Sequence, residues 1–160
     1  MEDNLNKIGL LAIAAFLGAY FAGRRYMREK RWEAKYQAYR DIFESIHKLK
    51  YWSEQNYLKL HELPTCSSDK FKEMALSYNE ARENLWRYSH VAGITISDKS
   101  SKNLAELLVK IDSADFYYYD ERNPDNYEEV FIRYFELITR AIDEHLPKIT
   151  KLSKRDLRKS

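Results

Sequence analysis

The sequence predicts an all-α protein in which an N-terminal transmembrane helix continues into an up-down-up-down four-helix bundle. Three observations predict it. Ile8–Gly23, IGLLAIAAFLGAYFAG, is a run of sixteen apolar residues followed at once by the basic stretch RRYMREKR. Only four glycines and three prolines interrupt 160 residues, so few breaks separate the helices. After residue 23, apolar side chains recur at three- and four-residue spacing in four successive stretches, the period of a helix with one buried face.

The apolar run rises 1.5 Å per residue, about 24 Å in all, against a hydrocarbon layer of roughly 30 Å. Lys7, Arg24 and Arg25 can close that gap by extending their charges to the interface. Tyr20, Phe21 and Tyr26 suit the headgroup belt. A cleaved export signal is a poorer reading, because MEDNLNK carries a net charge of −1 and no small-x-small pair stands at the end of the run. Arg24, Arg25, Arg28, Lys30, Arg31 and Lys35 outweigh Glu29 and Glu33, giving +4 over residues 24–35. Positive charge stays inside, so the expected topology is single-pass in a plasma (inner) membrane, with residues 1–7 outside and residues 24–160 in the cytoplasm. The lone Cys66 cannot form an intramolecular disulfide, in keeping with a reducing compartment.

The first soluble helix is expected from Arg24 to about Glu62, with Trp32, Tyr36, Tyr39, Phe43 and Ile46 opening a four-three stripe. Pro64 and the TCSSD segment end it. Ser67 or Ser68 caps a second helix, which carries Phe71, Met74, Tyr78, Ala81, Leu85 and Tyr88 on one face. Gly93 is the expected stop signal, with Ile94 and Ile96 tucked beneath the turn. Ser97 or Asp98 opens a third helix with Leu104, Leu107, Leu108, Ile111, Ala114 and Tyr118 inward. DERNPDN reads as a loop, and Asp125 with Glu128 as a capping box for a fourth helix. Pro147 is expected to kink or end that helix and leave residues 148–160 as a basic tail. The domain plan is thus 1–7, the span 8–23, the bundle 24–147 and the tail 148–160.

An even number of antiparallel helices returns the chain to the end where the bundle began. Lys148, Lys151, Lys154, Arg155, Arg158 and Lys159 against Asp156 give the tail +5. With a chain total of +2, residues 36–147 are left with −6. The bundle is therefore expected to be basic at its membrane end and acidic elsewhere. Contact with anionic lipids through Lys7, Arg24, Arg25, Arg28, Lys30, Arg31, Lys148, Lys151, Lys154 and Arg155 follows as an expectation. Within the span, Ala14, Gly18 and Ala22 are spaced four apart, as are Ala15, Ala19 and Gly23, which allows close approach of a second helix. Tyr117, Tyr118 and Tyr119 are consecutive and cannot share one helix face, so at least one is left for a partner surface.

Little in the chain carries catalytic chemistry. Four glycines leave no phosphate-cradling loop, and there is no zinc cluster or Ser-His-Asp set. Glu44 and His47 form one Glu-x-x-His pair, but a di-iron bundle needs a second pair and two further Glu, so no metal or other cofactor is expected. Arg140-Ala-Ile-Asp-Glu-His145 resembles the Arg-x(4–6)-His motif of HEPN ribonucleases, and Arg40 with His47 fits the looser spacing. That resemblance spans six residues and implies metal-independent RNA cleavage by Arg140 and His145, in a membrane-tethered ribonuclease or toxin-type effector; Ala141 departs from the polar residue common after the motif's Arg. The primary expectation is non-enzymatic: an adaptor or assembly subunit that holds a protein partner, or a second copy of itself, at the membrane. Nucleic acid is not an expected partner, because the bundle between the basic segments is acidic.

Overall fold

Four helices and no strand make up the described residues of the computed structural model, which are 2–63, 65–90 and 95–158, with side-chain surroundings from residue 15 onward. They are α1 (Glu2–Leu60), α2 (Ser68–His90), α3 (Asp98–Glu121) and α4 (Tyr127–Arg158). Cross-helix contacts set the topology. Asp41 meets Tyr88 and Trp52 meets Tyr78 between α1 and α2, while Arg82 reaches Asp112 between α2 and α3. Asp115 meets Tyr134 between α3 and α4, and Lys50 meets Asp143 between α1 and α4. Rising numbers on one helix meet falling numbers on the next, so each neighbouring pair is antiparallel and the helices form a closed square.

The core is filled by the stripes the spacing predicts: Tyr39, Ile42, Ile46 and Leu49 from α1, and Tyr78, Ala81 and Leu85 from α2. Leu104, Leu107 and Ile111 join from α3, and Phe135, Ile138, Ile142 and Ile149 from α4. Ile96 is buried beneath the turn before α3; Gly93 and Ile94 lie outside the described residues.

Local signals place the helix ends. Ser97 caps α3, its hydroxyl accepting from the Ser100 amide at 3.3 Å. At the end of α1 the Leu63 amide reaches the Leu58 carbonyl at 3.0 Å and the Glu62 amide reaches Lys59 at 3.2 Å, a Schellman turn. Glu62 takes the left-handed position, φ 52°, that glycine usually fills. The capping box expected of Asp125 and Glu128 is not formed. Asn123 and Asn126 knit that loop instead: Asn126 Oδ1 accepts from the Asn123 amide at 2.9 Å, and its Nδ2 donates to the Glu121 carbonyl at 3.0 Å.

Two further expectations change. Pro147 lies inside α4, which runs on to Arg158, so residues 148–158 are its last three turns and not a tail. The bond that Pro147 cannot make belongs to the carbonyl of Asp143, an exposed residue where water can replace it. Ile149, Ser153 and Asp156 are buried and hold the continuation to the bundle. The transmembrane helix expected over residues 8–23 is not supported: among the described residues no helix is long and apolar enough to cross a membrane. The side chains of Ile8–Ala14 lie outside the described residues.

Candidate membrane-facing end and partner surface

Helix α1 is far longer than the bundle needs. Its packed half begins at Ala38 and Tyr39; from Ala15 to Gln37 every residue is exposed except the half-buried Lys35. Phe16 is 71% exposed and Phe21 62%, with Leu17, Tyr20 and Met27 also open. The small-residue ribbons face the same open space. A Cβ built on Gly18 or Gly23 meets nothing within 4 Å, and Ala15, Ala19 and Ala22 are exposed, while Ala14 lies outside the described side chains. A lone helix gains nothing from displaying aromatic rings to water, since most helical stability in proteins comes from a packed apolar face.

The basic collar follows. Arg24, Arg25, Arg28, Lys30 and Arg31 are all exposed. Arg25 pairs with Glu29 at 2.9 Å and Lys30 with Glu33 at 2.7 Å, both along the helix. Glu33 raises the Lys30 ammonium above its ordinary value through that hydrogen bond and its charge. Lys7 lies outside the described side chains.

The second basic segment reaches the bundle end of the first and stands away from its far end, Arg24 and Arg25. The end of α4 is tied to α1 at Tyr39, whose hydroxyl bonds the Asp156 carboxylate. Fifteen residues of helix separate Arg24 from Tyr39, a rise of about 22 Å. Lys154 and Arg155 are exposed beside that tie, and Lys151 and Lys148 are exposed about one and two turns farther from the collar, Lys148 bonded to Glu144 at 3.0 Å. For a helix normal to a bilayer, that distance exceeds the roughly 8–10 Å over which salt lets charges interact. Arg24 and Arg25 thus stand apart from the base, whereas Lys35, the last cation of the first segment, is half-buried one helical turn from Tyr39.

The base is locked by polar groups that no local spacing announces. Asp156 Oδ2 accepts from the Ser100 hydroxyl at 3.1 Å and the Ser97 amide at 3.4 Å, in addition to Tyr39. Tyr39 Oη also lies 2.7 Å from Ser100 Oγ. Burial pushes the Asp156 carboxyl up, but the hydrogen bonds from Ser97, Tyr39 and Ser100 outweigh it and hold the group below the usual carboxylate range. Burial, with the Asp156 bond second, pushes the Tyr39 hydroxyl up to about 12. Three helices are joined at one carboxylate, beside the N-terminus of α3, where negative charge is favoured.

The far end differs in kind. Of the three consecutive tyrosines, Tyr118 packs against Phe131 and Tyr134 at ring distances of 5.3 and 5.2 Å, and Tyr117 is half-buried. Tyr119 is 65% exposed and its neighbour Phe116 71%. The Arg122 guanidinium lies over both Tyr118 and Tyr119, 5.3 and 4.8 Å from the ring centres. Between residues 112 and 129 there are seven carboxylates and one cation, Arg122.

The remaining candidates separate. Arg140 is exposed, whereas His145 is 1% exposed, its Nδ1 3.1 Å from Asn103 Oδ1 and its Nε2 buried without a hydrogen-bond partner. Burial, then the Lys148 and Lys110 charges, lowers the His145 imidazole below its ordinary value. Metal-independent RNA cleavage by this pair needs that imidazole at the surface. Glu44 pairs with Lys48 at 2.9 Å and His47 stacks on Tyr51. Among the described residues no cluster of His, Cys, Asp and Glu could hold a metal ion.

Sequence reasoning missed the Tyr39–Ser97–Ser100–Asp156 lock. Its one legible signal is Ser97 as an N-cap; the other members meet only through tertiary packing. Comparison with family models, curated proteins and solved structures finds no match to this chain.

Proposed function

We propose that this chain is a membrane-attached adaptor whose α1 inserts its apolar N-terminal part into a bilayer and holds the four-helix bundle on a basic stalk. One observation carries the reading: the helix leaves the bundle at Gln37 and displays Phe16, Leu17, Tyr20 and Phe21 to solvent, with the cations beginning at Arg24. Burying those rings is favourable by roughly 25 cal/mol per Å², and a hydrocarbon layer bounded by headgroups suits the order aromatic, then basic. Sixteen apolar residues are short for a span, so the cations at both ends would extend outward or the bilayer would thin.

In this reading residues 24–37 are a spacer of about 20 Å, and the bundle stands clear of the lipid with its acidic end outermost. The cytoplasmic orientation rests on the collar alone. The adaptor role, as against catalysis, is supported by the apolar, tightly packed interior and by the burial of His145.

Flotation tests the attachment. Full-length protein mixed with phosphatidylcholine vesicles should float with them after an alkaline carbonate wash, whereas a chain lacking residues 1–23 should stay at the bottom with its bundle folded. Full-length protein released by carbonate, or a truncated chain that floats equally well, contradicts the proposal.

A further inference from the structure

We propose that the outer groove between α2 and α3 is a docking surface for a basic amphipathic helix of a partner protein. Val109, Asp112, Phe116 and Tyr119 recur at three-four-three spacing and are all exposed, a second stripe beside the buried one of Leu104, Leu108 and Ile111. Across the groove stands the exposed ring of Trp86, and Leu108 lies between them at the floor. Scattered single apolar residues on a surface are ordinary; a stripe at helical spacing with a tryptophan opposite is a patch. From Val109 to Tyr119 it is about 15 Å long, close to three turns of a docked helix, with apolar side chains at i, i+7 and i+10 and the Arg82–Asp112 pair between them.

Charge selects the partner. Arg82 bridges the groove to Asp112 at 2.6 Å and Asp115 at 2.5 Å, so the cation at the floor is already committed. Glu83 lines the groove and Asp120 adjoins the stripe next to Tyr119, and among the described residues neither is in an ion pair. Arg122, the single cation between residues 112 and 129, sits over two tyrosine rings. An apolar stripe edged by carboxylates suits a helix with Lys or Arg beside its apolar face and repels one edged by Asp or Glu. The outer groove between α1 and α4 differs in charge: Tyr57, Leu58 and Phe135 line it, but Arg140 stands there with Glu54, Glu136 and Asp143, so both signs are present.

The proposal rests on the adaptor reading for its purpose, since it names what the adaptor holds, but its surface does not depend on lipid. The test uses full-length protein with phosphatidylcholine nanodiscs and an 18-residue Leu–Lys amphipathic helical peptide carrying benzophenone on its apolar face. After irradiation, adducts are mapped by mass spectrometry. Expected are adducts at residues 82–86 and 108–119. Their yield should fall at least tenfold in the Phe116→Ser, Tyr119→Ser double variant, and be as low with a Leu–Glu peptide of the same design. Both substituted residues are exposed, so helical content and melting temperature should match the unaltered chain. Adducts spread over the stalk and base, yields unchanged in the double variant, or equal labelling by the Leu–Glu peptide would each overturn the proposal. Groove adducts on protein that does not join the discs would still support it, while counting against the anchor.

Discussion

The two halves of α1 are one unbroken helix in opposite surroundings. From Ala38 to Leu60 the helix buries Tyr39, Ile42, Ile46, Leu49 and Ser53 against its neighbours; from Ala15 to Gln37 it buries none. Yet the exposed half holds the more continuous apolar run. Apolar content alone therefore does not bring a segment into a core. Inside the bundle the apolar residues return every three or four positions and leave polar ones between them, so a face forms. Between Ile8 and Gly23 they occupy the whole circumference, which no single neighbouring helix could cover. The first pattern builds one packed face; the second leaves apolar residues on every side of the helix.

The largest expected effect sharpens that contrast. Leu49→Ala or Ile142→Ala, each at a fully buried position, should destabilise the bundle by about 3 kcal/mol in urea unfolding. Phe16→Ala and Phe21→Ala, the same kind of truncation in the exposed half, should leave the unfolding midpoint where it was. A matching loss from the exposed pair would show that the N-terminal half packs on the bundle after all.

Next comes the lock at the base. Asp156→Ala leaves the Tyr39 and Ser100 hydroxyls and the Ser97 amide without their shared acceptor and should cost about 2 kcal/mol, with Tyr39→Phe costing about 1 kcal/mol. Because both act on one carboxylate, the double variant should cost less than the sum of the two. Full additivity in the same unfolding assay would mean that the contacts work independently.

Acid should weaken the bundle in a window set by His145. Its folded imidazole is lowered by burial first, so above about pH 6.5 it is neutral folded or unfolded and the stability is fully present. As pH falls below that, the unfolded chain takes the proton more readily and stability is lost. Asp156, also lowered, adds a loss of the same sign only below the ordinary carboxylate range. Glu144 beside His145 is held at about 2 by Lys110 and Lys148, so it stays charged throughout. Melting temperature should therefore drop between pH 7 and pH 5, and His145→Gln should flatten that slope. An equal slope in the variant would assign the acid sensitivity elsewhere.

The smallest effect lies at the turn that closes α1. Glu62 holds a left-handed conformation at φ 52°, and Glu62→Gly should stabilise by about 0.5–1 kcal/mol, read as a small rise in unfolding midpoint. A loss instead would show that the glutamate side chain contributes more than its backbone strain costs.

Most of the bundle was legible because its signals are local. Ser97 as cap, the stripes of α1 to α4 and the break after Leu60 all follow from residues within one or two turns of each other. The end of α4 was misread for a physical reason. Pro147 forfeits a bond to the Asp143 carbonyl, and Asp143 is exposed, so water can take its place. The continuing spacing of Ile142, Ile149, Ser153 and Asp156 was weakened to the eye by its two polar members. The lock and the α2–α3 stripe were not legible, since Tyr39, Ser100 and Asp156 lie in different helices and Trp86 comes beside Leu108 and Asp112 only after folding.

Hydrogen exchange along α1, measured with the full-length chain in phosphatidylcholine nanodiscs, separates a helix held in lipid from one left in water. A single exposed helix opens easily, whereas one in a bundle or bilayer does not. Exchange should be slow at residues 12–22, fast at residues 26–36 and slow again from residue 40. Fast exchange at residues 12–22, no different from the stalk, would contradict the anchor.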